Sequence, residues 1–292
     1  MNNNINQEWF YNSEINLVDI VIKNRPKPVR KYDQIYMKST DMLKQLHFIK
    51  KYIIDRRMVF LGDDDGMSML IALFSFFGHI SSPKSIRVLD FDERIINNNR
   101  KVLEKYMPDL ISFLTADLYN VINKVPKDDV AAHDFFYINP PYGAFNNGLS
   151  CILWLHRCIE LCNDYCRGCV IVPSYNNQKD SWQTKSMFAI QEFLNEKGFV
   201  ITEMLPNYHS YHLETNKEIE HDEIKSSVII VEKIKTSTTE YYQQKLPLNL
   251  VKNLYGMPVK IPQYILDKGE GIFDFDWDYG SLRNILLSID KK

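Results

Sequence analysis

One short stretch limits the fold of this chain more than any other. Met58-Val59-Phe60-Leu61 is a run of strand formers, Gly62-Asp63-Asp64-Asp65-Gly66 follows at once, and Met67 to Phe77 is apolar and of helical length. This is a strand, glycine turn, helix unit. The two glycines let the backbone bend tightly and come close to a ligand, and the helix start beyond them offers free N–H groups. A phosphate would suit that helix start, but three consecutive carboxylates repel it. The expected ligand is therefore cationic or hydroxylated. The alternative is that these carboxylates cap the helix and meet water, which accounts for one of them more easily than for all three.

The same arrangement recurs downstream. Ile86-Arg87-Val88-Leu89 ends in Asp90-Phe91-Asp92 at the distance expected for the next strand of a doubly wound sheet, and a carboxylate at Asp90 can take both hydroxyls of a ribose. Asp92 is placed to cap a helix starting near Glu93. Ile111 to Leu114 leads to Thr115-Ala116-Asp117, where a side-chain oxygen could read an adenine amino group or simply cap a helix.

The run Phe135-Phe136-Tyr137-Ile138 then delivers Asn139-Pro140-Pro141-Tyr142. Two prolines fix φ and carry no N–H, so the carbonyls around them point in set directions. Together with the Asn139 amide oxygen they can accept from an NH or NH₂ group. A neutral acceptor cluster leaves the nitrogen lone pair free and aimed at an electrophile, and the Tyr142 ring offers a flat surface beside it. The plainer reading is a Pro-Pro turn that ends a strand.

Gly62 to Gly66, Asp90, Asp117 and Asn139 to Tyr142 thus follow in order at the carboxyl ends of successive predicted strands, where open α/β sheets bind ligands. This order resembles the class I S-adenosylmethionine-dependent methyltransferase fold and the related aminopropyltransferases. The resemblance implies a sulfonium nucleoside donor with its ribose on Asp90. Its amino-acid or aminopropyl end would lie near Gly62 to Asp65 and its adenine near Asp117. Asp64 replaces the middle glycine of the usual methyltransferase pattern, and an extra carboxylate suits a tail that carries an ammonium but no carboxylate, as in decarboxylated S-adenosylmethionine.

The flanks extend the resemblance. Tyr32-Asp33-Gln34-Ile35-Tyr36, a helix predicted from Thr40 to Ile54, the segment Gly198 to Leu205 with Asn207-Tyr208, and a strand over Ser227 to Glu232 are similar to the branched-chain polyamine synthases, the N4-bis(aminopropyl)spermidine synthases, over residues 30–235. That family has Asp before its Pro-Pro. Here Asn139 stands in its place and continues as Pro-Pro-Tyr-Gly, like an amino-directed DNA methyltransferase.

Composition bears on the choice between these two. The 292 residues, 45% hydrophobic, can bury one α/β core plus small additions, with little left for a target-recognition region. Lys and Arg number 35 against 37 Asp and Glu, a formal charge of −2, whereas binding to DNA rests on neutralising phosphates. The run Lys23, Arg25, Lys27, Arg30 and Lys31 is either a local basic face or solvated surface. Glu214, Glu218, Glu220, Asp222 and Glu223 crowd one predicted loop, where they either attract a polyamine or meet water, and Tyr208 and Tyr211 could line its methylene segments.

The expected architecture is a Rossmann-like core over 56–235, preceded by a small extension and leading helix over 1–55 and followed by a tail over 236–292 that packs on the core or on a second subunit. The extreme N-terminus, polar and Asn-rich, is expected to be mobile. Phe273 to Tyr279 alternates as an edge strand or an interface would, or as an exposed loop. Cys158, Cys162 and Cys166 fall at helical spacing on one face of a helix predicted over Leu153 to Tyr165, which favours buried thiols over a metal site. With no signal peptide, no apolar span of membrane length and no patterned cysteine pairs, the expected compartment is the cytoplasm.

Three functions fit this sequence. The first is an aminopropyltransferase using decarboxylated S-adenosylmethionine, with a small polyamine as partner. The second is an S-adenosylmethionine-dependent N6-adenine methyltransferase acting on DNA or RNA. The third is a non-catalytic module that keeps the fold for binding. In the first two, Asn139 and the Pro140 carbonyl hold the acceptor amine, Tyr142 packs against it, and Asp63 or Asp64 holds a cationic end. No metal or membrane is expected to take part, and pairing of two copies is an open option.

Overall fold

The computed structural model describes residues 13–29, 32, 34–104, 107–116, 124–142, 148–174, 181–211 and 225–235. Seven strands form one sheet: β1 (Arg57–Leu61), β2 (Ser85–Asp90), β3 (Ile111–Thr115), β4 (His133–Ile138), β5 (Cys162–Pro173), β6 (Phe199–Ser210) and β7 (Lys225–Lys233). Their spatial order is β3-β2-β1-β4-β5-β7-β6. The first five run parallel, and β7 lies antiparallel between β5 and β6. The described helices are α1 (Glu14–Asn24), α2 (Ser39–Ile49), α3 (Met67–Phe76), α4 (Glu93–Leu103), α5 (Leu149–Leu161) and α6 (Trp182–Glu196).

Alternation along the strands builds two cores. Val59, Leu61, Phe136, Ile138, Val170, Val172, Ile229 and Val231 face α5 and α6. Met58, Phe60, Phe135, Tyr137, Ile171, Val228 and Ile230 face the other way, toward Leu17, Val21, Met42, Leu46, Leu70 and Phe74 on α1, α2 and α3. Helix α3 is buried from Met67 to Phe74, and a helix apolar all round needs cover on every side. Helices α1 and α2 supply it. The described part of the predicted 1–55 extension is therefore a layer of the core itself, pinned to the far sheet edge where Met37 bridges Tyr211 and Lys38 N donates to the Ser210 carbonyl at 2.9 Å.

Two expectations change. The helix predicted to Ile54 ends at Ile49, because residues 50–56 turn the chain into β1: Tyr52 N bonds the Ile49 carbonyl and Ile53 is already buried under the sheet. The helix predicted over Leu153 to Tyr165 stops at Leu161, and Cys162 begins a strand directly. The cysteines therefore share no helix face: Cys158 is on α5, Cys162 and Cys166 on β5. No glycine or proline marks this junction, and pairing of β5 with β4 and β7 overrides a periodicity that reads as helix. All five cysteines are nonetheless buried free thiols. Among the described residues, no helix is long and apolar enough to cross a membrane.

Asp117, the acidic run from Glu214 to Glu223, the tail over 236–292 and its Phe273 to Tyr279 segment lie outside the described residues.

Candidate active site

Strands β1 and β4 are neighbours in register, Phe60 level with Tyr137. Their carboxyl ends therefore release the Gly62 turn and the Asn139 turn side by side. Gly62 has φ +75° and Gly66 φ +70°, values that favour glycine. What crowds them is the protein itself: a Cβ at Gly62 would lie 2.7 Å from the Trp154 ring, and one at Gly66 would lie 2.8 Å from Val21 Cγ1.

The three consecutive carboxylates turn three ways. Asp63 is buried and saturated: Oδ1 accepts from Ser68 N at 3.1 Å, and Oδ2 from Ser68 Oγ at 2.5 Å and Asn99 Nδ2 at 2.9 Å. It thereby takes one N–H of the first turn of α3 from within. Asp65 is also buried. Its Oδ1 accepts from Met37 N at 2.6 Å and its Oδ2 from Asn139 Nδ2 at 2.6 Å, while Arg25 Nε donates to its carbonyl at 2.7 Å. Asp64 lies between them, half-buried, with no hydrogen bond or ion pair among the described residues.

Asp90 completes the acidic wall. Its Oδ2 accepts from Asp63 N at 3.0 Å and its Oδ1 from Asp92 N at 2.8 Å, and the Phe91 backbone adds a third bond, which together fix the carboxylate at the end of β2. Asp92 caps α4 as expected, accepting from Arg94 N at 3.0 Å.

Crowding gives this wall an unusual charge state. Burial, reinforced by the charges of Asp90 and Asp65, pushes Asp63 up to about 7 against the pull of its Ser68 hydrogen bonds. Burial likewise pushes Asp90 up to about 6. Asp64 is held well above the usual carboxylate range by burial and then by Asp65, Asp90 and Asp63. Burial also raises Asp65, opposed by Arg25 and by its bonds from Met37 and Asn139. Such a wall holds protons at neutral pH, and a cation set against it takes their place.

On the Asn139 side, the amide is oriented by its donation to Asp65, which turns Oδ1 toward Tyr211 Oη at 3.3 Å. Tyr211 Oη also lies 2.6 Å from Tyr142 Oη and 3.0 Å from Ser226 Oγ. The two rings meet edge to face at 6.3 Å. Pro140 is buried and Pro141 half-buried behind them.

The structure thus gathers Gly62 to Gly66, Asp90, Asn139, Pro140 and Tyr142 at one sheet edge. Arg25, Met37, His209 and Ser226 were missing from the sequence-based site, and Tyr211 entered it as a lining residue only. Each reaches the turn from a distant part of the chain, and no local signal marks it.

A parallel sheet with an antiparallel β7 inserted before β6, and a site over the ends of β1, β2 and β4, define the class I S-adenosylmethionine-dependent methyltransferase fold. The branched-chain polyamine synthase of Thermus thermophilus, solved with N4-aminopropylspermidine and 5'-methylthioadenosine, shares it with a TM-score of 0.62 at 21% identity, over 78% of this chain and 66% of that one. A structure from Pyrococcus horikoshii ascribed to an RNA methyltransferase matches with a TM-score of 0.53 at 15% identity, over 74% of this chain and 98% of the other. Residues 15–269 match the family described as branched-chain polyamine synthase A C-terminal domain, and the chain belongs to that family.

Among curated relatives, the N(4)-bis(aminopropyl)spermidine synthase of Thermococcus kodakarensis is 28% identical over 65% of this chain and 50% of its own length. That of Methanocaldococcus jannaschii is 25% identical over 65% and 51%. The chain spans about half the length of these relatives.

Proposed function

We propose that this protein alkylates an amine nitrogen with a sulfonium nucleoside, as an aminopropyltransferase using decarboxylated S-adenosylmethionine and a small polyamine acceptor. The observation that carries this reading is Asp64, a half-buried carboxylate without a partner among the described residues, set beside an Asn139 amide whose orientation Asp65 fixes. An acidic wall favours an ammonium-bearing tail and a cationic acceptor and disfavours the phosphates of a nucleic acid. Membership of the polyamine synthase family supports the same choice.

In this reading Asp90 takes the ribose hydroxyls, and Asp64 holds the ammonium of the aminopropyl arm. Asn139 Oδ1 and the Pro140 carbonyl accept from the acceptor nitrogen, and Tyr142 packs beside it. The nitrogen lone pair forms a bond to the carbon attached to sulfur, the carbon–sulfur bond breaks with its electron pair going to sulfur, and a neutral thioether leaves. The new ammonium then loses its proton to water or to an ionised carboxylate. The donor is already activated, so orientation is the main contribution of the protein, worth roughly 7–11 kcal/mol when alignment is good. Asn139 holds and does not take the proton.

The Asn-Pro-Pro-Tyr sequence favours a second reading, methylation of an adenine amino group from S-adenosylmethionine. One experiment separates the two. The protein is incubated with each donor against spermidine and against unmodified DNA, and products are weighed by mass spectrometry. An aminopropyl group added to the polyamine is expected; methyl transfer to DNA alone overturns the reading, as does failure of both donors to bind.

A further inference from the structure

A buried chain of hydrogen bonds runs from the second core to Asn139, and its direction can be counted proton by proton. Gln45 Nε2 donates to Cys169 Sγ at 3.0 Å, so its oxygen faces His209 Nε2 at 2.8 Å. An amide oxygen only accepts, and His209 Nε2 therefore carries the ring proton. His209 Nδ1 lies 3.0 Å from Ser226 Oγ. A neutral imidazole has no second proton, so Ser226 donates to Nδ1. Ser226 then has only lone pairs to offer, to Tyr211 at 3.0 Å and to Tyr142, which it also meets, and of the two acceptors within reach of the single Tyr211 proton, Ser226 Oγ is nearer than Asn139 Oδ1 at 3.3 Å. Tyr142, 2.6 Å from Tyr211, donates to the oxygen of that hydroxyl.

The consequence falls on Asn139. Its NH₂ is held by Asp65, and the Tyr211 hydroxyl, which can donate to Oδ1 at 3.3 Å, has in Ser226 Oγ a nearer acceptor at 3.0 Å. We infer that His209 and Ser226 are positioning residues: they direct the Tyr211 proton away from Asn139, leaving two acceptor oxygens side by side for the N–H of the nitrogen being alkylated. The inference rests on the alkylation reading above and adds to it how the acceptor oxygen is kept open.

Burial supports the neutral ring. His209 is 1% exposed and Ser226 fully buried, and desolvation pushes the imidazole down to about 3, with Asp41 and Lys44 acting on it in opposite senses. The Tyr208 ring packs against its edge at 4.9 Å. A protonated His209 would donate from Nδ1 to Ser226, turn the Ser226 proton toward Tyr211 and release the Tyr211 proton to Asn139 Oδ1.

Nitrogen-15 NMR of the histidine rings in the wild-type protein reads the first link without any substitution. A neutral Nε2–H tautomer at His209 is expected at pH 7 and still at pH 5; an Nδ1–H tautomer or an imidazolium overturns the inference. Kinetics read the last link. Ser226→Ala takes away the acceptor of the Tyr211 proton, and kcat/KM for the acceptor amine is expected to fall about tenfold or more while donor affinity holds.

Adding Tyr211→Phe removes the misdirected hydroxyl and is expected to recover most of that loss. A purely structural role predicts that the two losses add, which would overturn the inference. Ser226→Thr keeps a hydroxyl at this fully buried position and is expected to recover part of the kcat/KM that Ser226→Ala loses, and a loss as large as that of Ser226→Ala counts against. A wild-type protein that transfers no alkyl group overturns the alkylation reading, and an intact Nε2–H ring at His209 tells that failure apart from a failure of the proton count.

Discussion

The Nδ2 group of Asn139 donates to Oδ2 of Asp65 at 2.6 Å, across 74 positions of sequence, and this bond ties the two turns of the site into one unit. Loss of the amide is expected to lower transfer about 100-fold or more in Asn139→Ala, the scale seen when one fixed polar group is removed from a reaction centre. The melting temperature should change little, because Asn139 is half-buried. Initial rates and a thermal melt check both, and retained turnover counts against the amine-holding role. Asn139→Asp sets a second carboxylate against Asp65, so one of the pair must hold a proton. It is expected to melt further below wild type at pH 8 than at pH 5.

Asp64→Asn should trade activity for stability. Four crowded carboxyl groups repel above neutral pH, and removing the one without a partner is expected to stabilise the ligand-free protein by about 1–2 kcal/mol at pH 8. At pH 4 most of the gain should vanish, since Asp64 is then protonated in the folded protein, and the remainder is lost below about 3.9, where the unfolded chain is protonated too. Denaturant midpoints at the two pH values test this, together with loss of donor affinity by calorimetry.

Binding of the cationic donor should release protons. Asp90 and Asp63 titrate near 6 and 7 in the folded protein, raised from their ordinary range, so part of the wall is protonated at pH 6. A sulfonium or ammonium beside it draws these groups back toward ionisation. Affinity is therefore expected to rise from pH 5 to about 7.5 and then level off. Calorimetry at pH 6 in two buffers of different ionisation enthalpy measures the released protons; uptake of protons would contradict the assignment.

His133 is a separate source of pH dependence, acting on stability and opposite in sign to the destabilising effect of the raised carboxylates. Both its ring nitrogens are buried without a hydrogen bond among the described residues, and burial pushes it down to about 4. The unfolded chain binds a proton there below 6.5 while the fold does not, so stability is fully present above 6.5 and is lost as pH falls toward 4. His133→Leu is expected to be neutral or stabilising at pH 7, because it removes an unpaired polar group, and to flatten that acid limb. Urea midpoints between pH 4 and pH 7 decide it.

Gly66→Ala should cost roughly 1 kcal/mol or more, from the strain of a positive φ together with the clash against Val21. Val21→Ala removes the clash but opens a cavity in the core, so the loss in the double variant should be smaller than the sum of the two single losses in a thermal melt.

Much of the sheet was legible because its strands are short apolar runs closed by glycine, proline or aspartate. Met58 to Leu61 and Phe135 to Ile138 announce both their ends and the turns that carry the chemistry. The Leu161 to Cys162 junction was not legible, since helix passes to strand there without punctuation. Neither was the division of labour among Asp63, Asp64 and Asp65, three identical side chains whose roles depend on Ser68, Met37 and Asn139. The wall made by Tyr211, Ser226 and His209 was hidden for a different reason: it is assembled from β6, β7 and the bridge next to β6, and nothing in its local sequence sets it apart from ordinary sheet.

The bridge between Met37 and Tyr211 carries a consequence for anyone shortening this protein. The same residue that offers its amide to Asp65 is stitched, through Tyr211, to the opposite margin of the reaction centre. A truncated version beginning at residue 56 would keep every described strand, yet it would forfeit two of the three bonds bracing Asp65, those from Met37 and Arg25, and the seam that closes that margin. Minimal versions intended for catalysis should therefore begin no later than α1.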